Sequence, residues 1–565
     1  MSSTPEPPIT MTADGDAPEA EGARLTRGTL VAATLAGLVG QLALAVPGVL
    51  NGLFQSDLGT SSSQLTWISA AFLVPVTLLE LTFGVLGDLF GRKRLLMIGA
   101  VVTAVGEFVS VLTPGSGSST GARVAVLWTG QAMAGIGAAM LFPTALALVA
   151  AGTVTAAERA RGLAVWGVAV PLGGTVAVLL GGAASKVKFG GSETASWRWT
   201  LLIVLVVALG SLVVSTLYTV DSSAPEGRSL DLPGQITIAV ALFALLFAVI
   251  QSPTDGWGDP LIVASLVVSA IFFVLFVVAE TRSRAPLLQL RLFRDRNFAI
   301  VSIITVVAMF AQLGTGYAVS IRMAVIQQHS PLGVAVGMLP LTLGAVVMMP
   351  LNARMLRRYP AKWLLVGGTA LLAVGAFWAA TVPATHTSTA SIALPMLISG
   401  FGFGTSVTAA TAVAVNSVPR RLAGMASGTT SMLRDFGFTL GPTVLGAVAL
   451  SMAASSIRDK VAASPTLQGA VTAFNGSAAH VPPDRRAAVE EAIEGVHSGP
   501  LGAVSVPETV PGPNGAKVPF NPLHDAAFGS LDHAYSVAFV ICGACALACT
   551  VLGAGFLRGT RDVNS

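Results

Sequence analysis

A short polar stretch between two apolar segments decides how this chain is organised: Gly84-Val85-Leu86-Gly87-Asp88-Leu89-Phe90-Gly91-Arg92-Lys93-Arg94. One apolar segment, Trp67 to Leu86, runs into it, and another, Leu95 to Leu112, leaves it. The stretch holds three glycines, one carboxylate and three cations, and glycine is the usual residue where a chain must turn tightly. A cationic cluster between hydrophobic spans also fixes which side of a membrane it occupies. The pattern therefore predicts a short loop that joins two transmembrane helices on the inner side of a membrane.

The composition is that of a polytopic membrane protein. Of the 565 residues, 53% are hydrophobic and 11% are charged, against roughly 25% charged in a soluble domain. Apolar runs of about 20 residues, the length that crosses a bilayer as a helix, recur throughout. The net charge of +4 would suit a nucleic-acid partner, but the cations lie in short loops between apolar spans, where membrane orientation explains them better. We therefore expect contact with a lipid bilayer and no nucleic-acid partner.

Fourteen transmembrane spans are predicted. Their approximate limits are 30–53, 66–87, 95–113, 124–150, 162–183, 198–219, 234–251, 261–280, 298–321, 332–351, 364–382, 392–415, 425–451 and 533–557. With both termini cytoplasmic, 21 of the 32 cations fall in inner segments and tails, as the positive-inside rule requires. Residues 1–27 lack the order of a signal peptide and are expected to form a disordered cytoplasmic tail. The plasma membrane is the expected location.

Two connections between the spans are unusual. Residues 453–532 form a long outer segment rich in Pro, Gly, Ala and Asn, which is either a small extracellular cap or a loosely ordered loop. Residues 281–297 alternate arginines with apolar residues and are expected to form an interfacial helix, with the cations toward lipid headgroups.

Gly84 to Arg94 resembles the loop between the second and third helices of the major facilitator superfamily, G-x-L-x-D-x-x-G-R-K/R. The whole chain after Arg27 is similar to a fourteen-helix drug:proton antiporter of that superfamily. Three further stretches carry the likeness: Gln131 to Ala139, Trp166-Gly167 with Gly181-Gly182, and Ala426 to Gly437. The resemblance implies an all-α fold with two six-helix bundles, residues 28–220 and 298–557, a linker with two extra helices, residues 221–297, and a second tail, residues 558–565. A faint internal repeat, Arg94 to Gly99 and Lys362 to Gly367, agrees with two parallel halves.

Four positions depart from the family pattern. Gln131 stands where the family has an arginine often credited with proton transfer, and Leu38 stands where an acid is common in the first span. Ala177-Val178 replaces the Gly-Pro of the antiporter motif, so the proline kink is missing there. Leu89 replaces the arginine that often follows Asp88. These departures leave the expected fold unchanged, but they put the mechanism of energy coupling in question.

Carboxyl groups in mid-membrane cost several kcal/mol to bury, so each is a functional candidate. Glu80, Glu107 and Asp435 are the candidate proton-coupling residues. Glu80 comes first, because it lies seven residues before Gly87 and hence on the same helix face as the loop glycines. Each of these side chains could instead be a hydrogen-bonded structural carboxyl.

The candidate cavity residues are one arginine and three glutamines. Arg434 and Asp435 are adjacent in the thirteenth span and point about 100° apart on a helix, so we expect no ideal ion pair between them. Arg434 is expected to face a substrate cavity. Gln41, Gln131 and Gln312 are uncharged and could hydrogen-bond a substrate, although a structural role between helices explains each of them equally well.

The resemblance implies that the opening loop forms an inner gate, with the residues Gly84, Asp88, Gly91, Arg92 and Arg94. Asp88 would dock against the N-terminus of the thirteenth span, near Leu422 to Ser427, where the helix dipole is worth roughly 0.3–1 kcal/mol. This contact would hold the gate shut in the outward-facing state and break when the halves rock. The arginines would pair with inner acids or headgroups, although membrane topology alone also explains them.

The leading hypothesis is a secondary transporter that exports amphipathic or hydrophobic drugs or natural products in exchange for protons. The alternative is a lipid or lipophilic-metabolite flippase with little or no proton coupling, and a third hypothesis is a non-transporting receptor on the same fold. No Walker loop or catalytic set stands in a suitable context. We therefore expect no enzyme activity, no ATP and no cofactor, with the proton motive force as the energy source.

Two further expectations concern metals and origin. Cys542, Cys545 and Cys549 share one face of the last span without a nearby His or carboxylate in sequence, so packing is favoured over a metal site. The chain is expected to be monomeric. Only six of the 32 cations are lysine, which indicates a GC-rich genome, such as that of an actinobacterium.

Overall fold

The computed structural model describes residues 25–153, 158, 162, 165–167, 169–223, 230–283, 286, 288, 290–418, 423–477, 483–511 and 517–558. Almost all of both predicted tails lies outside these residues. "Inner" and "outer" denote the sides of the membrane assigned by the positive-inside prediction. The first six helices, called the N bundle, are α1 (Arg27–Leu58), α2 (Ser62–Phe90), α3 (Arg92–Val111), α4 (Thr120–Ala151), α5 (Ala169–Ala184) and α6 (Trp197–Tyr218).

The linker pair and a second bundle follow. The linker pair is α7 (Leu232–Asp255) and α8 (Pro260–Arg282). The C bundle comprises α9 (Arg296–Ile321), α10 (Pro331–Met355), α11 (Ala361–Thr381), α12 (Thr389–Asn416), α13 (Ala423–Ala463) and α17 (His524–Phe556). Within the described residues, fourteen helices are long and apolar enough to cross a membrane, which confirms the predicted number of spans and the all-α class.

Local sequence explains where several helices begin. The Ser61 hydroxyl accepts a hydrogen bond from the Gln64 amide N–H, and the Gln64 side chain accepts one from the Ser61 N–H, which is a complete capping box before α2. Asp231, Asp259 and Asp295 cap α7, α8 and α9 with their carboxylates. The predicted interfacial helix is shorter than expected, because its helical part is a 3₁₀ turn over Leu290–Arg294.

Glycines allow equivalent helix pairs to pack closely in the two bundles. A Cβ on Gly106 of α3 would collide with the backbone of Ala134 on α4. In the C bundle, a Cβ on Gly375 of α11 would collide with Ser399 of α12. Helices three and four of one half thus correspond to helices three and four of the other, in agreement with the predicted internal repeat.

Each bundle carries a buried ion cluster near its outer end. In the N bundle, Asp57 lies 3.5 Å from Arg123 and 3.2 Å from Arg198, and it accepts a 2.8 Å hydrogen bond from Trp197 Nε1. We call these three charged residues the N-bundle ion cluster. In the C bundle, Arg322 lies 3.3 Å from Asp532. The carboxylate is thus on the first helix in the N bundle and on the last helix in the C bundle.

The two bundles meet at their outer ends and in the middle of the membrane. At the outer end, Asn51 Nδ2 of α1 donates a 3.2 Å hydrogen bond to Ser320 Oγ of α9, whose hydroxyl donates to the Gly48 carbonyl. Further along, Thr66 of α2 lies 3.2 Å from Tyr317 of α9, measured between hydroxyl oxygens. These contacts close the outer side of the gap between the bundles.

The long outer segment is a folded cap rather than a loose loop in its described part. It contains α14 (Pro465–Asn475), α15 (Pro483–His497), α16 (Pro500–Ser505) and an antiparallel pair of strands, β1 (Thr509–Pro511) and β2 (Lys517–Pro519). Phe474 and Phe520 form an edge-to-face pair with centroids 5.3 Å apart, and Asn521 Nδ2 donates to the Ala503 and Val506 carbonyls at 2.7 and 3.0 Å. The cap packs through α16 on α2, α13 and α17, so it covers the closed outer side.

Helices α13 and α17 reach into residues 453–532 from both ends, to Ala463 and from His524, and run there as an antiparallel pair. Ser530 Oγ of α17 lies 3.0 Å from Ser456 Oγ and 2.9 Å from Lys460 Nζ of α13. These polar contacts hold the two helix ends together.

Candidate functional site

A buried ion pair lies on α13, about three turns from the start of the helix. Arg434 Nε and Nη2 donate to the two carboxylate oxygens of Asp435 at 2.8 and 2.9 Å. The expectation that these neighbours would not pair was therefore wrong. The 100° angle between adjacent residues describes the Cα–Cβ directions, but the long arginine side chain bends back so that its planar guanidinium meets the carboxylate with two bonds.

Glu80 of α2 completes this site from the other bundle. Its carboxyl lies near the Asp435 carboxylate and near the Arg434 guanidinium. Only 5% of Glu80 and 4% of Asp435 are exposed. We call Glu80, Arg434 and Asp435 the α2–α13 charge cluster.

The α2–α13 charge cluster brings together two carboxyl groups and one guanidinium. Two carboxyl groups can hydrogen-bond to each other only when one of them is protonated. With one shared proton and the arginine, the cluster is neutral; without the proton it carries one negative charge. Glu80 Oε2 has no hydrogen-bond partner among the described residues, so this carboxyl is less completely bonded than Asp435.

Two threonines align the helices beside the cluster. Thr77 Oγ1 of α2 lies 2.6 Å from Thr439 Oγ1 of α13, and it also lies 3.3 Å from the Asp435 carbonyl oxygen. Both threonines lie about one helical turn from the acids that they accompany. The sequence analysis did not select them, since threonine is common in apolar helices and its usual partner is the carbonyl one turn earlier in its own helix.

Glu107 does not belong to the α2–α13 charge cluster. It is fully buried on α3 and faces Gln131 of α4, inside the N bundle. Gln131 is also fully buried, and its Nε2 donates to Ser110 Oγ of α3 at 3.2 Å. The structure therefore places Gln131 between two helices of one bundle and not beside a cavity between the bundles, and it does not bring Glu107 to the α2–α13 charge cluster.

The other two predicted glutamines lie on helices next to the gap. Gln41 of α1 packs against Gly173 of α5 and is 8% exposed. Gln312 of α9 is 4% exposed, and its Oε1 has no partner among the described residues. It lies one turn before Gly316, which faces α10, and two turns before Ser320, which bonds α1. Gln312 thus lies on the face of α9 that carries Gly316 and Ser320.

The opening loop is held within the N bundle. Asp88 Oδ1 accepts from Arg92 Nε and Nη2 at 3.0 and 2.7 Å, and both residues are buried. Arg92 Nη1 also donates to Ser222 Oγ at 3.2 Å, just after α6. Gly91 has φ +102°, a region that favours glycine, and Asp221 lies where a Cβ would point.

Asp88 forms an ion pair with Arg92, and its expected docking on the thirteenth span stays a prediction. The proposed docking residues lie partly outside the described part, since Leu422 is not among the described residues. Arg94 is exposed and Gly84 packs near Pro143 of α4.

The three cysteines lie on the last helix as predicted. Cys542 and Cys549 are buried and Cys545 is half-buried, and Cys549 Sγ lies 3.8 Å from the Ile304 carbonyl of α9. These thiols pack between helices. Three possible metal ligands, Glu508, His524 and Asp525, lie within 4.8 Å of one another in the outer cap, but two are exposed acids, which commonly gather without an ion.

Two helical bundles around a buried charge cluster, closed at one side, define the fold of a secondary membrane transporter. The sequence matches the Major Facilitator Superfamily over residues 32–442. The chain belongs to that superfamily.

Similar proteins include several resistance transporters from actinobacteria. The chain is 29% identical to the multidrug resistance protein Stp of Mycobacterium tuberculosis, over 70% of each chain. It is 26% identical to the tetracenomycin C resistance and export protein of Streptomyces glaucescens, over 92% of this chain and 89% of that one. It is 28% identical to the puromycin resistance protein of Streptomyces alboniger, over 74% and 79%.

Solved structures show the same fold. One is a bacterial homologue of the human peptide transporters PepT1 and PepT2, with a TM-score of 0.55 and 16% identity over 94% of this chain and 98% of that one. Another is a bacterial homologue of the lysosomal transporter Spinster in an inward-facing conformation, with a TM-score of 0.53 and 15% identity over 95% and 98%. At these identities the likeness concerns the fold alone.

Proposed function

We propose that this protein exports amphipathic or hydrophobic compounds, such as drugs or natural products, in exchange for protons. The observation that supports the proposal is the α2–α13 charge cluster, because two acidic side chains of different bundles and one arginine lie together there and could share a proton. The names of the relatives support the substrate class. The transporter would work in the plasma membrane as a monomer with both termini cytoplasmic, without ATP or another cofactor.

The charge cluster couples protonation to the position of the bundles. In the outer-closed structure, the shared proton joins Glu80 of α2 to Asp435 of α13. Loss of that proton to the inner side leaves two carboxylates opposite one guanidinium, and the like charges repel. Repulsion weakens the contact between α2 and α13, which favours the outward-open arrangement after substrate has bound from inside. Protons that enter from outside then restore the contact.

The substrate would bind in the gap between the bundles. Gln41 and Gln312 lie beside this gap and are uncharged, so they can hydrogen-bond a drug without a large desolvation cost. Arg434 is bonded to Asp435 and is 17% exposed at its side chain, which makes it a less suitable direct ligand than the sequence suggested. The opening loop, through Asp88 and Arg92, would keep α2, α3 and α6 together as the N bundle moves.

The test is proton movement linked to export in proteoliposomes. Ethidium, a cationic amphipathic dye, serves as the substrate, and a pH-sensitive dye reports protons. We expect Glu80→Gln and Asp435→Asn each to reduce proton-coupled export by about tenfold or more, the equivalent of roughly 1.4 kcal/mol. The control is Glu193→Gln, which removes a carboxyl that is 76% exposed at its side chain. Normal coupling in both cluster variants would refute the assignment.

A flippase with little or no proton coupling is the second candidate. Gln131 stands at the position of the family arginine, and its amide is bonded inside the N bundle, so this chain lacks one group associated with proton transfer. Wild-type ethidium export that continues at full rate after a protonophore collapses the gradient would favour this candidate over the first.

A further inference from the structure

The linker pair lies against both bundles, and its described contacts with them are of two chemical types, apolar and polar. Helix α7 packs on α2 and on α13. Its contact with both is partly apolar, through Leu246 and Ile250, which join a cluster with Val74 of α2 and Leu440 of α13. Apolar surfaces can slide past each other at low cost, since they have no bond directions to satisfy.

One side chain of α7 makes a polar contact with α2. The Gln235 amide donates from Nε2 to the Leu78 carbonyl and accepts at Oε1 from the Thr82 hydroxyl. Gln235 is 8% exposed, so both bonds are shielded from water and costly to leave unmade. A single amide therefore joins α7 to two points of α2 that are one helical turn apart.

The inner end of the linker pair holds Gln235 in place. Asp231 caps α7 by accepting from the Gly234 amide at 3.0 Å. Gly234 packs against Glu280 near the end of α8, and Glu280 Oε2 accepts from the Leu288 amide at 3.0 Å. Gln235 is thus fixed by its own helix and by the neighbouring one.

Leu78 and Thr82 lie on either side of Glu80 in the sequence. At 100° per residue, each lies about 160° around the helix from Glu80, so Gln235 binds α2 on the face opposite the α2–α13 charge cluster. Rotation of α2 about its axis would break the Gln235 bonds and turn the Glu80 carboxyl away from Asp435. The charged side chains described around Glu80 are Arg434 and Asp435, while Asp231 and Glu280 belong to the inner end of the linker pair.

We propose that Gln235 is a positioning residue that fixes the rotation of α2, and hence the place of Glu80, and that the linker pair moves with the N bundle while the C bundle slides along it. The first part rests on the proposed function, because it concerns the proton site. The second part is independent of proton coupling.

The first experiment compares the pH dependence of ethidium-linked proton flux in proteoliposomes. We expect Gln235→Leu to move the midpoint of the curve of proton flux against pH by about 0.5 pH unit or more, roughly a threefold change in the protonation equilibrium. The control is Gln251→Leu on the same helix, because the bond described for Gln251 stays within α7, to Asp255 at 3.4 Å. Thr82→Val should move the midpoint less, and the double variant should match Gln235→Leu, since both changes remove the same contact.

Identical profiles for Gln235→Leu, Gln251→Leu and the wild type would overturn the positioning role. If Gln235→Leu does not fold, Thr82→Val decides, and an unchanged profile in that variant overturns the role. A wild-type protein that shows no proton flux refutes the proposed function instead.

The second experiment measures distances between spin labels in a cysteine-free chain. One label replaces Leu232 of α7, and its partner replaces either Phe90 of α2 or Trp363 of α11; all three positions are exposed. Between acidic and alkaline pH with ethidium present, we expect the 232–90 distance to stay constant and the 232–363 distance to change. A constant 232–363 distance with a changing 232–90 distance would overturn the second part.

Discussion

At the scale of single residues, this protein buries charges for two different purposes. The N-bundle ion cluster joins helices of one bundle, and its carboxylate, Asp57, accepts bonds from Arg198 and Trp197. The α2–α13 charge cluster joins helices of different bundles, and Glu80 is incompletely bonded there. A cluster within a rigid body stabilises the fold, whereas one between moving bodies responds to their motion.

Asp57→Ala is expected to destabilise the protein by about 3–5 kcal/mol, because two buried arginines would lose their counter-charge. The measurement is the thermal unfolding of the purified protein in detergent, with Glu193→Ala as the control, since that acid belongs to an exposed ion pair. The folded fraction of Asp57→Ala should keep the wild-type ratio of protons to ethidium. A melting temperature equal to that of the control would contradict the structural role.

At the scale of helices, close glycine contacts make pairs that move as units. Helices α3 and α4, and likewise α11 and α12, approach so closely that a methyl group does not fit between them. Bundle motion must therefore occur elsewhere, at the α2–α13 and α5–α10 contacts, where threonine hydroxyls and apolar side chains meet. The linker pair lies over the first of these contacts.

Gly106→Val is expected to cost about 1–3 kcal/mol or more, because the added side chain must displace the α4 backbone at Ala134. Gly210→Val on α6 is the matched control, since nothing lies within 4 Å of a Cβ at that position. Thermal unfolding in detergent compares the two. Equal melting temperatures would show that α3 and α4 are less tightly packed than described.

At the scale of the whole molecule, the closed outer side is one state of a transporter that must open there. Helix α1 closely approaches the π-helical turn Arg322–Ile326, which directly follows α9, because a Cβ on Gly52 would lie 3.0 Å from the Ala324 Cβ. The outer cap adds α16 against α2 and the C bundle. Opening must therefore separate α1 from α9 and release α16 from α2.

A disulfide between Gly52→Cys and Ala324→Cys is expected to abolish ethidium export, and a reductant should restore it. The Cβ separation is close to the 3.5–4.5 Å range of disulfides, and the bond would lock the bundles together at the outer end. The control pair is Gly37→Cys with Ala169→Cys, whose Cβ atoms would lie 3.5 Å apart inside the N bundle. Full export by the oxidised Gly52–Ala324 pair would rule out outer opening between α1 and α9.

Much of the architecture could be predicted from the sequence, because hydropathy and short motifs are local properties. Fourteen apolar runs, helix caps such as Asp231 and the glycine turn at Gly91 are set by neighbouring residues in the chain. Glu80 and Asp435 were selected for the same reason, since an acid within an apolar run is visible without any structure. The sequence leaves it undecided whether the outer segment folds, because a polar sequence with Pro and Gly is compatible with both order and disorder.

Contacts between residues that are far apart in the sequence could be identified only from the packed structure. The opening loop, Gly84 to Arg94, determined the class of fold and the predicted orientation, and the packed structure adds the ion pair between its Asp88 and Arg92. The contact of Glu80 with Asp435 joins positions 355 residues apart, and Gln235 reaches α2 from a separate helix. Sequence patterns report the environment of each residue along its own helix, whereas the rotation and approach of helices depend on how all side chains pack at once.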